Sequence, residues 1–274
     1  QPHPAILVFF VFGGMFYVYM TKVLRRLGGG ARAGVHYTAA ERRAEAGREL
    51  CQAASVQMYS AEAGSEHQLA WARFFARVAD VPAAFELLAS LLDGTVTLPG
   101  LEVDQELRWA FLEPLAAHGA VDEKRLDEEL ARDDTASGKR HHVRCLAARP
   151  SAAVKAQCWA QVVESDALSN ALVEATISGF AQASQRELLA PYTERYFAAI
   201  ERVWTERSIQ IGMDVVRGLF PSFQDSRATL DATDAWLTSH EDAAPALRRL
   251  VLESRDDLAR ALRGQACDEA AAGR

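Results

Sequence analysis

The sequence predicts an all-α fold. Ala, Leu, Arg and Glu dominate the composition while Ile and Thr are sparse. Straight-chain side chains lose little rotamer freedom in a helix, so this balance favours helix over strand. Apolar residues recur at i, i+3, i+4 and i+7, and cap and stop signals return roughly every 15 to 20 residues from about Val35 onward. No strand-like alternation interrupts the series. A chain of 274 residues can bury a sizeable core. Helix pairs joined by short links predict a right-handed α-solenoid, a superhelix of antiparallel pairs of the HEAT or armadillo kind, with degenerate repeats of no strict period.

The elements come in order along the chain. Thr38 to Glu41, TAAE, has the form of a capping box. Trp71, Phe74, Phe75 and Val78 mark one buried helical face. DVPAAFELLASLLDG carries Pro82 near its start and Gly94 just past its end, the expected asymmetry of helix termini, with Phe85, Leu88 and Leu92 as its stripe. VDQELRWAFLEPLAAHG closes at Gly119, and Ser151, after Pro150, is placed to cap the next segment. Pro191 starts a helix bearing Tyr192, Tyr196 and Ile200. The last segment aligns Leu247, Leu250, Val251, Leu258 and Leu262.

Charge is unevenly placed. The first 33 residues carry Lys22, Arg25, Arg26 and Arg32 and no acid, so the remainder is near −11 against −7 for the whole chain. That argues against a nucleic-acid partner, since phosphate neutralisation needs a basic patch. Cys51, Cys145, Cys158 and Cys267 lie far apart without CxxC spacing, which suits buried reduced thiols and a cytoplasmic setting.

Residues 1–30 stand apart. Residues 5–24 are an apolar run followed by Arg25 and Arg26, and Gly28 to Gly30 form a join. As a helix the charge-free part reaches about 24 Å, short of the roughly 30 Å hydrocarbon core, and Val23 and Leu24 extend it. The order apolar-then-basic places the rest of the chain on the cytoplasmic side. Three readings stand for this segment: a membrane anchor, sequence foreign to the domain, or an element that packs on a neighbouring domain. Gln1 in place of methionine points to a fragment or a processed form.

No catalytic, cofactor-binding or metal-ligating residue emerges. HExxH, the G-x-S-x-G elbow, the Walker loop and the Rossmann fingerprint are absent. His141 and His142 are adjacent, hence about 100° apart on a helix, and do not chelate one ion together. GLEVDQELRW, residues 100–109, is the densest local peculiarity. One reading has Asp104 capping a helix, Trp109 in the core and Arg108 paired with an acid. The other turns Glu106 and Arg108 towards another domain.

GLEVDQELRWAFLEPLAAHG, ELARDDTASGKRHHVRCLAARPSAAVKAQCWAQVV, SNALVEATISGF, LLAPYTERYFAAIERVW and ALRRLVLESRDDLARALRGQACD together resemble the C-terminal helical domain of the zinc aminopeptidase N family, in its actinobacterial-type branch. The likeness runs from about Gly34 to Asp268, so the domain is expected over residues 31–268, with residues 269–274 a disordered tail. The resemblance implies a helical superhelix packed on a thermolysin-like catalytic domain, covering a cavity in which N-terminal residues are removed from peptides. The family's zinc, its HExxH base and its G-x-M-E-N amine site belong to that other domain. None of these motifs occurs here, so no catalytic or metal role transfers to any residue, and the chain is expected to be inactive alone. Its expected partners are that catalytic domain, peptide substrate through it, and a membrane through residues 5–24. The alternative is a stand-alone α-solenoid adaptor for peptide or protein. A domain built to pack on a large neighbour should also expose an apolar patch, expected around residues 35–75.

Overall fold

The computed structural model describes residues 36–272; the apolar run and the glycine join lie outside them. Among the described residues the structure is helical, without strands. Thirteen α-helices follow in order: α1 (Arg43–Ser60), α2 (Glu66–Val78), α3 (Pro82–Asp93), α4 (Gln105–Ala117), α5 (Glu123–Arg132), α6 (Ala136–Ala148), α7 (Ala152–Trp159), α8 (Asn170–Phe180), α9 (Arg186–Leu189), α10 (Tyr192–Glu206), α11 (Ile209–Gly218), α12 (Arg227–Ser239) and α13 (Pro245–Ala272). α7 runs on into a π-helical turn, Ala160–Glu164. α13 continues past Asp268, where the domain was expected to give way to a tail.

Local chemistry explains most of the helix starts. Ser65, Asp104, Asp122, Thr135, Ser208 and Ser226 each accept the backbone N–H three residues on. Each such bond satisfies a donor that the first helical turn cannot pair internally. Pro82 opens α3 and Pro191 precedes α10. Gly94 and Gly119 leave α3 and α4 at φ 75° and 72°, a backbone region that costs glycine little. Two expected caps differ. Thr38 does not cap the first turn: Ala39 holds that position, and its amide donates instead to Asp268 at 3.0 Å, from the far end of the chain. Ser151 occupies the cap position of α7 but makes no side-chain cap bond.

Packing follows an alternating rule. α1 packs on α2, α3 on α4, α5 on α6, α7 on α8, α10 on α11 and α12 on α13. The second members also touch one another in succession, α2 to α4, α6, α8, α11 and α13. The core divides at α6: Cys145 belongs to a cluster built from α1 to α6, Ala147 to one extending through α13. Trp71, Phe74, Phe75 and Val78 are buried as their spacing predicts, as are Tyr196, Ile200, Leu247, Leu250, Val251 and Leu258.

α6 and α8 approach closely where Gly179 faces Arg144 and Ala147. A Cβ at Gly179 would lie 2.1 Å from the Arg144 carbonyl oxygen and 2.8 Å from the Ala147 Cβ. Backbone cannot yield to such contacts without moving a helix. Alanine in a helix interior normally stabilises by about 1 kcal/mol over glycine; here Gly179→Ala should destabilise, by about 1–3 kcal/mol. Thermal unfolding followed by circular dichroism should show a Tm lower by several degrees, and a raised Tm would mean that the two helices are not in such contact.

Candidate functional site

Three charged residues are buried among the described residues, Glu129, Asp133 and Lys155, and each has hydrogen-bond partners. Glu129 on α5 is 1% exposed and meets Arg108 of α4 through two parallel bonds, Nε to Oε1 at 2.6 Å and Nη2 to Oε2 at 2.7 Å. The third donor of Arg108, Nη1, reaches the Leu92 carbonyl at the end of α3, at 2.9 Å. Charge-assisted, bidentate geometry is the strong form of this interaction. Just after α5, the Asp133 carboxylate accepts from Trp109 Nε1 at 2.9 Å and from the Thr135 hydroxyl at 2.6 Å. Burial pushes the Asp133 carboxyl up, but the Thr135 and Trp109 bonds outweigh it and hold it below the usual carboxylate range. The 100–109 stretch therefore takes its structural reading: Asp104 caps α4, Trp109 is in the core and Arg108 is engaged by Glu129. Glu106 stays exposed, where it meets His141 at 3.1 Å and Ser137 at 3.3 Å.

Lys155, on α7, was not singled out in the sequence, yet it is fully buried. Its Nζ donates to the Ala147 carbonyl at 2.8 Å and the Phe180 carbonyl at 3.2 Å, and lies 5.6 Å from the Phe180 ring centroid. Gln185 plays the matching part beside it, with Nε2 donating to Ala117 at 2.6 Å and Ala148 at 2.7 Å. These carbonyls are the C-terminal ends of α4, α6 and α8, so those three helices end side by side. Desolvation lowers the Lys155 pKa to about 8. A signal was available: residues 155, 158, 159, 162 and 163 form one apolar stripe that only Lys155 breaks.

The histidines disperse rather than converge. His118 meets Asp80 at 3.3 Å, His142 meets Asp127 at 2.8 Å, and His240 meets Glu201 at 3.6 Å. His141 and His142 thus reach different carboxylates, on α4 and α5. Among the described residues no three His, Cys, Asp or Glu side chains come together as a metal site. Cys51, Cys145 and Cys158 are buried, where desolvation pushes their thiols up, whereas Cys267 is exposed, against expectation. A surface groove of about 490 Å³ opens where α3, α4 and the start of α5 meet. Its lining includes Leu92, Leu115 and Val121, with Asp93, Asp122 and Arg125 beside them. It offers shape and charge but no nucleophile with an adjacent base.

The profile of the family described as "ERAP1-like C-terminal domain" matches residues 17–260. This chain belongs to that family. The match takes in residues 17–30, which sequence patterning had set before the domain. An aminopeptidase N of Streptomyces lividans is 55% identical over 221 residues, which make up 81% of this chain and 26% of that protein. The chain thus spans about a quarter of the length of the curated relative it matches. The zinc associated with aminopeptidase N has no fitting ligand set among the described residues, because His118, His141, His142 and His240 each meet a separate carboxylate. Nor does any described helix have the length and apolarity to cross a membrane.

The buried pairs lead to two expected outcomes. Arg108→Met leaves the buried Glu129 with only a 3.8 Å contact to Arg132 and should cost about 3 kcal/mol. Adding Glu129→Met should recover most of that in urea denaturation; equal losses in the single and double variants would show that the pair is not coupled. For Lys155, the folded pKa lies below the ordinary 10.5. Between about pH 8 and 10 the unfolded chain therefore binds a proton that the folded chain has released, so stability rises with pH across that window. The slope is at most about 1.4 kcal/mol per pH unit. It should appear in the wild type minus Lys155→Met difference in unfolding free energy, and a flat difference would place the Lys155 titration elsewhere.

Proposed function

We propose that this chain is the C-terminal helical portion of an aminopeptidase N-type enzyme, and that it serves as a non-catalytic cover over the substrate cavity of a thermolysin-like zinc domain. The observation that carries this is the 55% identity to the Streptomyces lividans aminopeptidase N, confined to about a quarter of that protein. The sequence supports the non-catalytic part, since neither HExxH nor G-x-M-E-N occurs in it. In this reading the zinc, which would polarise the scissile carbonyl and activate water, is held by the other domain. The α2, α4, α6, α8, α11, α13 row, flanked by its partner helices, is the right-handed superhelix, and its concave face lies over the peptide. Val56 and Tyr59, three residues apart on α1 and each 53% exposed, supply apolar contact for the neighbouring domain.

The test has two arms. The purified chain, given zinc and an aminoacyl reporter substrate, is expected to release no product. Co-expressed with the Streptomyces lividans enzyme truncated before its matching region, it is expected to restore cleavage. Zinc-dependent turnover by the chain alone would overturn the non-catalytic assignment. Failure to complement, together with saturable peptide binding by the chain alone, would favour the stand-alone adaptor.

A further inference from the structure

The start of the described chain is fastened to its end by a compact polar cluster. Asp225, in the loop between α11 and α12, has a side chain only 3% exposed. Its carboxylate accepts from Arg43 Nη2 at 2.7 Å and from Gln265 Nε2 on α13 at 2.8 Å. Arg186 of α9 reaches it in a short contact, and His36 Nδ1 lies 3.3 Å away. Gln265 Nε2 also donates to the His36 carbonyl at 2.8 Å. One turn further along α13, Asp268 accepts from the Ala39 amide at 3.0 Å and from Arg42 Nη1 at 2.6 Å. Between these two carboxylates Tyr37 lies against Gly264, where a Cβ would sit 2.7 Å from the ring's Cδ1.

Nothing in the alternating helix packing requires these contacts. An array in which each helix pair touches only its neighbours has two free ends, and its terminal elements open at low free-energy cost. Here residues separated by more than 220 positions in sequence are bonded. The contacts thus form a circuit from α1 through α2, α4, α6, α8 and α11 to α13, and back to α1 through residues 36–43.

We propose that Asp225 is a latch that clamps residues 36–43 onto α13, joining the two ends of the array and setting the path by which any preceding polypeptide enters it. Asp225 is the centre because its carboxylate meets three separate contributors: the lead-in segment through His36 and Arg43, α9 through Arg186, and α13 through Gln265. The titratable groups facing it are His36, Arg43 and Arg186. Asp268 is the outer, more exposed half of the same fastening, and Gly264 leaves the room that Tyr37 fills. A domain attached ahead of residue 36 would therefore take its direction from the end of α13 as well as from α1.

Hydrogen–deuterium exchange of the full chain, read by peptide mass spectrometry, tests this. Asp225→Asn should raise exchange in both residues 36–43 and 260–272 by at least about tenfold, while α4, α6 and α8 keep wild-type protection. A disulfide should replace the latch. The Cβ position at Gly264 lies 3.4 Å from the Tyr37 Cβ, close to the roughly 3.5–4.5 Å of a normal bridge. Tyr37→Cys with Gly264→Cys, in an Asp225→Asn, Cys267→Ser background, should regain protection at both ends when oxidised and lose it when reduced. Wild-type exchange in Asp225→Asn, or an oxidised bridge that restores neither end, would overturn the proposal. Should Asp225→Asn not fold, Gln265→Ala removes the α13 bonds to Asp225 and to the His36 carbonyl, and wild-type exchange at both ends in that variant would overturn the proposal equally.

Discussion

The constraint on which this structure depends is the need to satisfy helix-terminal carbonyls away from water. The last four carbonyls of an α-helix have no intrahelical partner, and burying one unpaired costs about 1–3 kcal/mol. Where α4, α6 and α8 end together, the solution is two donors from outside those helices, Lys155 and Gln185, serving Ala117, Ala147, Ala148 and Phe180 between them. The cost of desolvating an ammonium is visible in its lowered pKa. It is tolerated because an apolar residue there would leave two carbonyls bare, and because a neutral amine still donates. The same device recurs elsewhere: Arg108 serves Leu92, Arg207 serves Ser165, and Arg248 serves Leu237 and His240. Side chains from one helix therefore finish another, and the helices are bound pairwise by polar bonds as well as by apolar burial.

Carboxylates complete the scheme at the other ends. Glu129 and Asp133 hold α4 to α5 from within, and Asp225 gathers donors from three parts of the chain. A buried ion pair is weak ground for net stability, since its desolvation competes with its attraction. Its value here is geometric. A carboxylate with three or four fixed donors admits one arrangement of the elements that bring them, whereas an apolar stripe would accept several rotations.

That division separates the features legible in the sequence from those that emerge only in the fold. Helical class, the Pro82, Gly94, Gly119 and Pro191 boundaries, and the Trp71 to Val78 face rest on local spacing and backbone preference, which a sequence displays directly. The Arg108, Asp104 and Trp109 roles were legible as alternatives because capping and burial are local, although the partner, Glu129, is 21 residues away. Thr38 to Glu41 misled because the first turn starts one residue later, with Ala39 at the cap position and its amide held by Asp268 from the far end of the chain. Asp225 and Gln185 carry no local mark at all; each is one polar residue in a loop or short turn until the fold brings its partners. Lys155 did carry one, as the break in an apolar stripe. A lone cation on a core face is the local trace of a side chain that finishes another helix.

The same pairing of polar groups bears on function. An active centre needs polar groups left underused, poised against each other in a cleft. In the described chain Lys155 and Gln185 are engaged by helix ends, Glu129 and Asp133 by side chains, and His118, His141, His142 and His240 each meet a separate carboxylate. The groove beside α3 and α4 has walls but no converging reactive set. On the proposed reading, such a domain offers a larger enzyme a surface whose helices are bonded to one another. A 55% identical segment that makes up only a quarter of an aminopeptidase N fits that role. On this reading the chemistry is concentrated elsewhere in such a protein, and this part contributes by holding its shape against it.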